Sequence, residues 1–225
     1  MIVEHSTDPV GNLIAEVIKF VDQQPTGDIH ISLTGGRSGD TITHTLIDQL
    51  RDNSRIHFWW SDERFVPTND PERTAPTINS ADYSCHFHAI PSSDESSSAQ
   101  ECAVTYSETL HKTLTSRFCS DNTLMDICIL SVGPDGHIAS LFPHHAALDS
   151  ALGVVAISDS PKPPSQRVTW TFHTINASRQ VWLLATGDEK RAAVAAIQAQ
   201  ADFHDIPAAG ATGKTSTRLF TDIAN

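Results

Sequence analysis

The chain predicts an α/β protein: a doubly wound, mostly parallel sheet with helices on both faces and room for a small additional lobe. Three observations predict it. Short apolar runs rich in β-branched residues alternate with longer stretches of helical periodicity, the pattern of parallel strands buried beneath helices on both sides. A strand passes straight into a helix through paired glycines, as in folds that gather ligands beyond their strand ends. Finally, 225 residues with 39% hydrophobic content can build one substantial core, read as a single domain over 1–225.

The first helix opens at Asp8 as N-cap, with Pro9 at its first position and Val10, Leu13, Ile14, Val17, Ile18 and Val21 along one face. A turn at Pro25-Thr26-Gly27 leads into a strand where Ile29, Ile31 and Leu33 alternate. Thr34-Gly35-Gly36 then introduces a helix carrying Ile42, Leu46, Ile47 and Leu50. Strands are expected at 56–60 and 85–90, followed by a long helix from 98 to 118 with Ala99, Cys102, Ala103, Tyr106, Leu110 and Leu114 inward. The clearest buried strand covers 125–132. Later strands are expected at 154–158, 168–172 and 181–185, with a closing helix over 188–200. The serine-rich segment 91–97 and the proline-rich segment 158–166 read as mobile loops.

Composition excludes several classes of function. A formal charge of −12 with no run of lysine and arginine opposes nucleic acid and anionic membranes. The amino end has no charged segment followed by an apolar core and cleavage site, and no apolar run is long enough to span a bilayer, so the expected location is cytoplasmic. Cys85, Cys102, Cys119 and Cys128 are dispersed without a C-x-x-C pair and are expected to be reduced. The oligomeric state stays open. His86 and His88 share one side of a strand and His144 and His145 are adjacent, but no third ligand follows at metal spacing; they read as solvated or core histidines. Gly210-Ala211-Thr212-Gly213-Lys214-Thr215 has its glycines too close for a nucleotide-binding loop and no strand before it, which rejects that reading. No Gly-x-Ser-x-Gly elbow is present, which disfavours a serine nucleophile.

Only 15 basic residues are available, so an anionic ligand would need a deliberate cluster. Four segments at strand ends offer one. In Thr34-Gly35-Gly36-Arg37-Ser38-Gly39 the glycines allow close backbone approach, the helix start presents free N–H groups, and Thr34, Arg37 and Ser38 add polar side chains suited to a phosphate. An ordinary turn is the alternative. In Trp59-Trp60-Ser61-Asp62-Glu63-Arg64-Phe65-Val66-Pro67 an apolar strand ends in three charges, and Arg64 behind two carboxylates reads as a pocket wall or as a surface ion-pair turn. In Gly133-Pro134-Asp135-Gly136-His137, directly after the most buried strand, the turn places His137 near the start of a short helix with Asp135 able to orient its ring. An imidazole that titrates at about 6.5 in isolation can take a proton from water, and such a water can attack a lactone carbonyl; a histidine capping a turn is the alternative. Finally, Arg167 opens a strand and Lys190, in Gly187-Asp188-Glu189-Lys190, opens the last helix, where a cation is disfavoured unless a phosphate or the neighbouring Asp188 and Glu189 offset it.

Together, Thr34-Gly35-Gly36, Trp60-Ser61-Asp62-Glu63-Arg64-Phe65-Val66-Pro67 and Gly133-Pro134-Asp135-Gly136-His137-Ile138-Ala139-Ser140-Leu141-Phe142-Pro143 resemble the ordered motifs of 6-phosphogluconolactonases. Arg167-Val168-Thr169-Trp170-Thr171 and Gly187-Asp188-Glu189-Lys190 extend the resemblance across nearly the whole chain. It implies a doubly wound fold related to glucosamine-6-phosphate deaminases, and hydrolysis of a sugar-phosphate lactone in the oxidative pentose phosphate pathway without metal or organic cofactor. It further implies His137 as general base, Arg64 orienting base or substrate, and Thr34 to Ser38 with Arg167 and Lys190 holding the phosphate. One departure is visible: the family's glycine loop commonly reads Ser-Gly-Gly-Ser-Thr-Pro, whereas here Arg37 replaces a small residue and Gly39 a proline. The oxyanion could be met by Arg64 or by backbone N–H groups around Gly136. An isomerase or deaminase of glucosamine 6-phosphate fits Asp62-Glu63-Arg64-Phe65-Val66-Pro67 and Ser140-Leu141-Phe142-Pro143 less well, and a non-catalytic sugar-phosphate sensor is opposed by the intact His137, Asp135 and Arg64.

Overall fold

The structure, a computed structural model, describes residues 1–120 and 122–224. The first half lays down β1 (Ile2–His5), α1 (Pro9–Asp22), β2 (Ile29–Leu33), α2 (Arg37–Gln49), β3 (Ile56–Trp60), β4 (Asp62–Arg64), β5 (His86–His88), α3 (Ala99–Thr113) and α4 (Thr115–Ser120). The second adds β6 (Ile127–Ser131), β7 (Val154–Ile157), β8 (Arg167–Trp170), α5 (Phe172–Ile175), β9 (Gln180–Ala185), α6 (Arg191–Gln198), α7 (Pro207–Gly210) and β10 (Ser216–Thr221). Seven strands form a parallel sheet in the order β1-β10-β9-β6-β2-β3-β5. A small antiparallel sheet, β4-β8-β7, is the additional lobe.

The central strands are apolar because water reaches neither face. All five residues of β2 are buried, as are Ile127 to Leu130 of β6 and Val181 to Ala185 of β9, which requires cover on both sides. Asp8 caps α1 by accepting the Gly11 N–H at 2.9 Å, and α1 buries Leu13, Val17, Phe20 and Val21. From β2 the chain winds outward to β3 and β5, and from β6 it winds the other way to β9 and β10. The order therefore reverses between β2 and β6, and a crevice opens there at the strands' carboxyl ends. No described helix is long and apolar enough to cross a membrane. All four cysteines are unpaired, Cys119 being the exposed one.

Several elements differ from expectation. Strands β1 and β10 had no periodic signal: Ile2 and Val3 are exposed on an edge, and β10 mixes Ser216, Thr217 and Arg218 with its apolar half. The charged run Asp62-Glu63-Arg64, expected beyond a strand's end as a pocket wall or as a surface ion-pair turn, is itself a strand paired with β8, with both carboxylates buried and bonded. The long helix breaks at Leu114, where Thr115 Oγ donates back to the His111 carbonyl at 2.7 Å. The strand expected to reach 172 stops at Trp170 because Thr171 caps α5. The closing helix begins as the 3-10 turn Asp188–Lys190, which Gly187 enters at φ +92°.

Candidate active site

Two glycine turns meet at the crevice. After β2, Gly36 takes φ +84° and stands at the N-cap of α2 with no side chain satisfying the helix's first N–H groups. A Cβ on Gly39 would lie 2.5 Å from the Thr34 carbonyl oxygen, so the residue that departs from the family pattern lets the first helical turn close onto the loop. After β6, the Gly133 N–H donates to the His137 carbonyl and the Gly136 N–H to that of Gly133, both at 2.9 Å, with Gly136 at φ +79°. Thr34 Oγ ties the turns together by accepting the Ser131 N–H at 3.0 Å.

This second turn aims His137. Its Nδ1 contacts Asp135 Oδ1, its ring stacks on Phe142 at 4.9 Å, and a Cβ on Gly133 would fall 2.0 Å from Nδ1. Burial would raise the Asp135 carboxyl, but the hydrogen bond from His137 and the charges of His137 and Lys162 outweigh it and hold the group well below the usual carboxylate range. With Asp135 ionised, the neutral imidazole keeps its proton on Nδ1 and its lone pair on Nε2. No helix follows His137, contrary to expectation: Ala139 takes φ +49° and Ile138 bridges to Val132 and Leu141.

A cavity of about 190 Å³ is lined by Thr34, Gly35 and Gly36 from one turn, by Gly133, Pro134 and His137 from the other, and by Asp62, Arg64, Thr74, Arg167 and Lys190 around them. Three larger hollows, of about 680, 640 and 530 Å³, have mainly apolar walls, and a fourth, of about 350 Å³, is polar and lies beside Asp28, His30, His57, Arg117 and Asp126. The wall beside Arg64 is built from Glu63. Its buried carboxylate accepts the N–H groups of Arg64, Thr74 and Ala75 at 2.8 Å and lies 3.7 Å from Arg73 Nε. Burial nevertheless raises its pKa, against the pull of Arg73 and the three donors. Thr74 is thereby packed onto Gly35, and Arg64 Nη1 donates to the Glu72 carbonyl.

The structure thus gathers Thr34, Gly35, Gly36, Arg64, His137, Arg167 and Lys190 around one space, with Asp135 behind His137. Arg37 and Ser38 stand apart from the lining: Arg37 is exposed, and Ser38 Oγ is 3.1 Å from Thr186 Oγ. Arg167 is 5% exposed and most of its donors are engaged: Nε bonds the Pro164 carbonyl, Nη2 those of Lys162 and Pro163, and Nη1 the Ser140 hydroxyl. Burial lowers the pKa of Lys190, with Glu189 and Asp222 opposing it. The motif reading missed Lys162, and it missed Thr74, whose segment carries no motif; the only signal for Lys162 was a lone cation among the prolines of 161–164.

One further group could be considered for a metal. Asp28, His30 and His57 bring possible ligand atoms within 4.8 Å of one another. The donor chemistry does not fit. Trp59 Nε1–H donates to His30 Nδ1 at 3.1 Å, so a neutral His30 carries its own proton on Nε2 and offers no lone pair there.

The chain matches the family model for glucosamine-6-phosphate isomerases/6-phosphogluconolactonase over residues 4–220. It is 36% identical over 222 residues to a 6-phosphogluconolactonase of Streptomyces coelicolor, covering 92% of this chain and 85% of that protein. It is 38% identical over 207 residues to that of Mycobacterium tuberculosis, covering 87% and 83%. The crystal structure of a 6-phosphogluconolactonase from Thermotoga maritima superposes with a TM-score of 0.80 at 26% identity, covering 98% of each chain.

Proposed function

The chain belongs to the glucosamine-6-phosphate isomerase/6-phosphogluconolactonase family, and from that membership we propose that it hydrolyses 6-phospho-D-glucono-1,5-lactone to 6-phospho-D-gluconate in the oxidative pentose phosphate pathway. It is a lactonase, a carboxylic-ester hydrolase. The observation that carries the mechanistic reading is the placement of His137: ordered through Nδ1 by Asp135, it lines the same small cavity as the glycine loop and Lys190.

In this reading the phosphate dianion docks against the backbone of Thr34, Gly35 and Gly36 and against Lys190, which fixes the lactone carbonyl carbon beside a water on His137 Nε2. His137 takes the proton as the water oxygen bonds to that carbon, and Asp135 stabilises the imidazolium. The carbonyl oxygen becomes an oxyanion. Arg64 is the better candidate to meet it, because the Gly136 N–H is already committed to Gly133. Collapse of the intermediate breaks the bond to the ring oxygen, which leaves with the proton from His137. Arg167 shapes the wall and adds positive field, while Arg37 and Ser38 have no part in the proposed contacts. The unpaired cysteines suit a reducing compartment, and the cytoplasm is the proposed one.

The test is acid release from freshly generated 6-phosphogluconolactone, corrected for spontaneous hydrolysis, with wild type and His137→Asn side by side. Acceleration lost in the variant supports the reaction and its base. No acceleration by wild type, with ammonia released from glucosamine 6-phosphate instead, would replace this reading with the deaminase one.

A further inference from the structure

Lys162 belongs to none of the motifs at the strand ends, yet its Nζ lies 3.2 Å from Nδ1 of His137, 3.3 Å from Oδ2 of Asp135 and 3.4 Å from Oδ1. One carboxylate therefore serves both an ammonium and an imidazole. The placement is built into the loop. Arg167, buried beneath it, donates to the carbonyls of Lys162, Pro163 and Pro164 at 3.1 to 3.3 Å, and Ser160 Oγ both donates to the Lys162 carbonyl and accepts its N–H. The ammonium also stands 5.9 Å above Phe142, the ring on which His137 stacks.

Charged groups face His137 from every wall: Asp135 from its own turn, Asp62 and Arg64 from β4, Arg167 from β8, Lys162 from the loop after β7 and Lys190 from the turn after β9. Among the described residues, only Asp135 and Lys162 come within hydrogen-bond distance of a His137 ring nitrogen. A general base must be neutral when the water arrives and charged after it has taken the proton. Asp135 alone would favour the charged form early, whereas a cation at the same nitrogen favours the neutral one.

We propose that Lys162 is a positioning residue of the reaction: by sharing Asp135 with His137 it fixes the carboxylate and offsets its pull on the ring, keeping His137 in the form that accepts a proton from water. The inference deepens the lactonase reading and rests on it for its kinetic consequence. Its direct consequence, the coupling of Lys162 to the imidazole, can be read without substrate.

The experiment is an NMR titration of the His137 ring in the wild type, Lys162→Met and Lys162→Arg, with His137→Asn used to assign the resonance, together with kcat/KM against pH for each. Lys162→Met is expected to move the His137 titration upward by about one pH unit and the acid limb of kcat/KM with it, while Lys162→Arg leaves both in place. Lys162→Gln repeats the neutral substitution in case methionine disturbs the loop. A His137 titration that stays put in folded Lys162→Met and Lys162→Gln overturns the inference. So does a loss of rate that is equal at all pH values, since that is what a merely structural lysine would produce. If wild type fails to hydrolyse the lactone and yet the titration still moves, the coupling stands and the lactonase reading falls.

Discussion

At the carboxyl ends of β2 and β6, two glycine turns, with Arg64 of β4 and Lys190 of the turn after β9, leave His137 facing an open space; on neighbouring strands β2, β3 and β5, the side chains of His30, His57, His86 and His88 pack against one another. In that second region His30 and His57, and His57 and His86, stack at 4.5 Å, His57 Nδ1 lies 2.9 Å from His88 Nε2, and His88 stacks on Trp59 at 3.9 Å. Burial, foremost, pushes His30 down to about 2 and His88 down to about 4, and it lowers His57 as well. Both regions are rich in titratable groups and both border a cavity, but in the first the ring of His137 is ordered through Nδ1 by Asp135, which leaves Nε2 free as an acceptor, whereas in the second His30 accepts from Trp59 and the rings of His57 and His88 bond one another. Chemistry follows from what a group has left over after folding.

The sharpest challenge to that contrast is His137→Asn, for which kcat should fall by about a hundred- to ten-thousandfold with KM little changed. A variant that loses only affinity would remove His137 from the base role. Gly133→Ala comes next. The added carbon would sit 2.0 Å from His137 Nδ1 and 2.6 Å from Asp135 Oδ1, so turnover should drop about a hundredfold while circular dichroism stays native. Wild-type turnover would mean that the ring's position does not limit the reaction. Lys190→Gln should raise KM for the phosphorylated lactone about tenfold or more and leave the unphosphorylated lactone unaffected. Equal effects on both substrates would detach Lys190 from the phosphate.

The smallest expected effect belongs to the histidine region and concerns stability. Because the folded chain holds His30, His57 and His88 neutral, their contribution is complete above the ordinary imidazole value of about 6.5. It is lost progressively as pH falls from there toward the folded values, since the unfolded chain binds protons that the folded chain refuses. Thermal stability should therefore decline between about pH 6.5 and about 4, and His88→Gln should flatten the slope by up to about 1.4 kcal/mol per pH unit without changing turnover at neutral pH. An unchanged slope would place the acid sensitivity elsewhere.

How much of this was legible depends on how local each feature is. The turns Thr34-Gly35-Gly36 and Gly133-Pro134-Asp135-Gly136-His137 could be read directly, because a glycine at positive φ after an apolar strand is a signal contained in a few residues. So could α1, whose cap, proline and apolar stripe occupy consecutive turns. Strand β4 could not, since three charged residues become a buried strand only when β8 pairs with them and Glu63 finds the N–H groups of Arg64, Thr74 and Ala75. The family resemblance implied Arg167 as a phosphate ligand; its engagement with three carbonyls of the proline-rich loop depends on how that loop folds back.

The order of amino acids was enough to determine the doubly wound class, the two turns that meet at the crevice and the residue types that converge there, because period, glycine and capping act over a few neighbouring residues. The partnerships were decided by tertiary structure. The sharing of Asp135 between Lys162 and His137, the alignment of His30, His57 and His86 in one row, and the exclusion of Arg37 from the cavity all depend on strand order and register, which bring together groups that the chain keeps far apart. Burial then sets which of those groups carry charge, and that is a property of the surroundings and not of the residue.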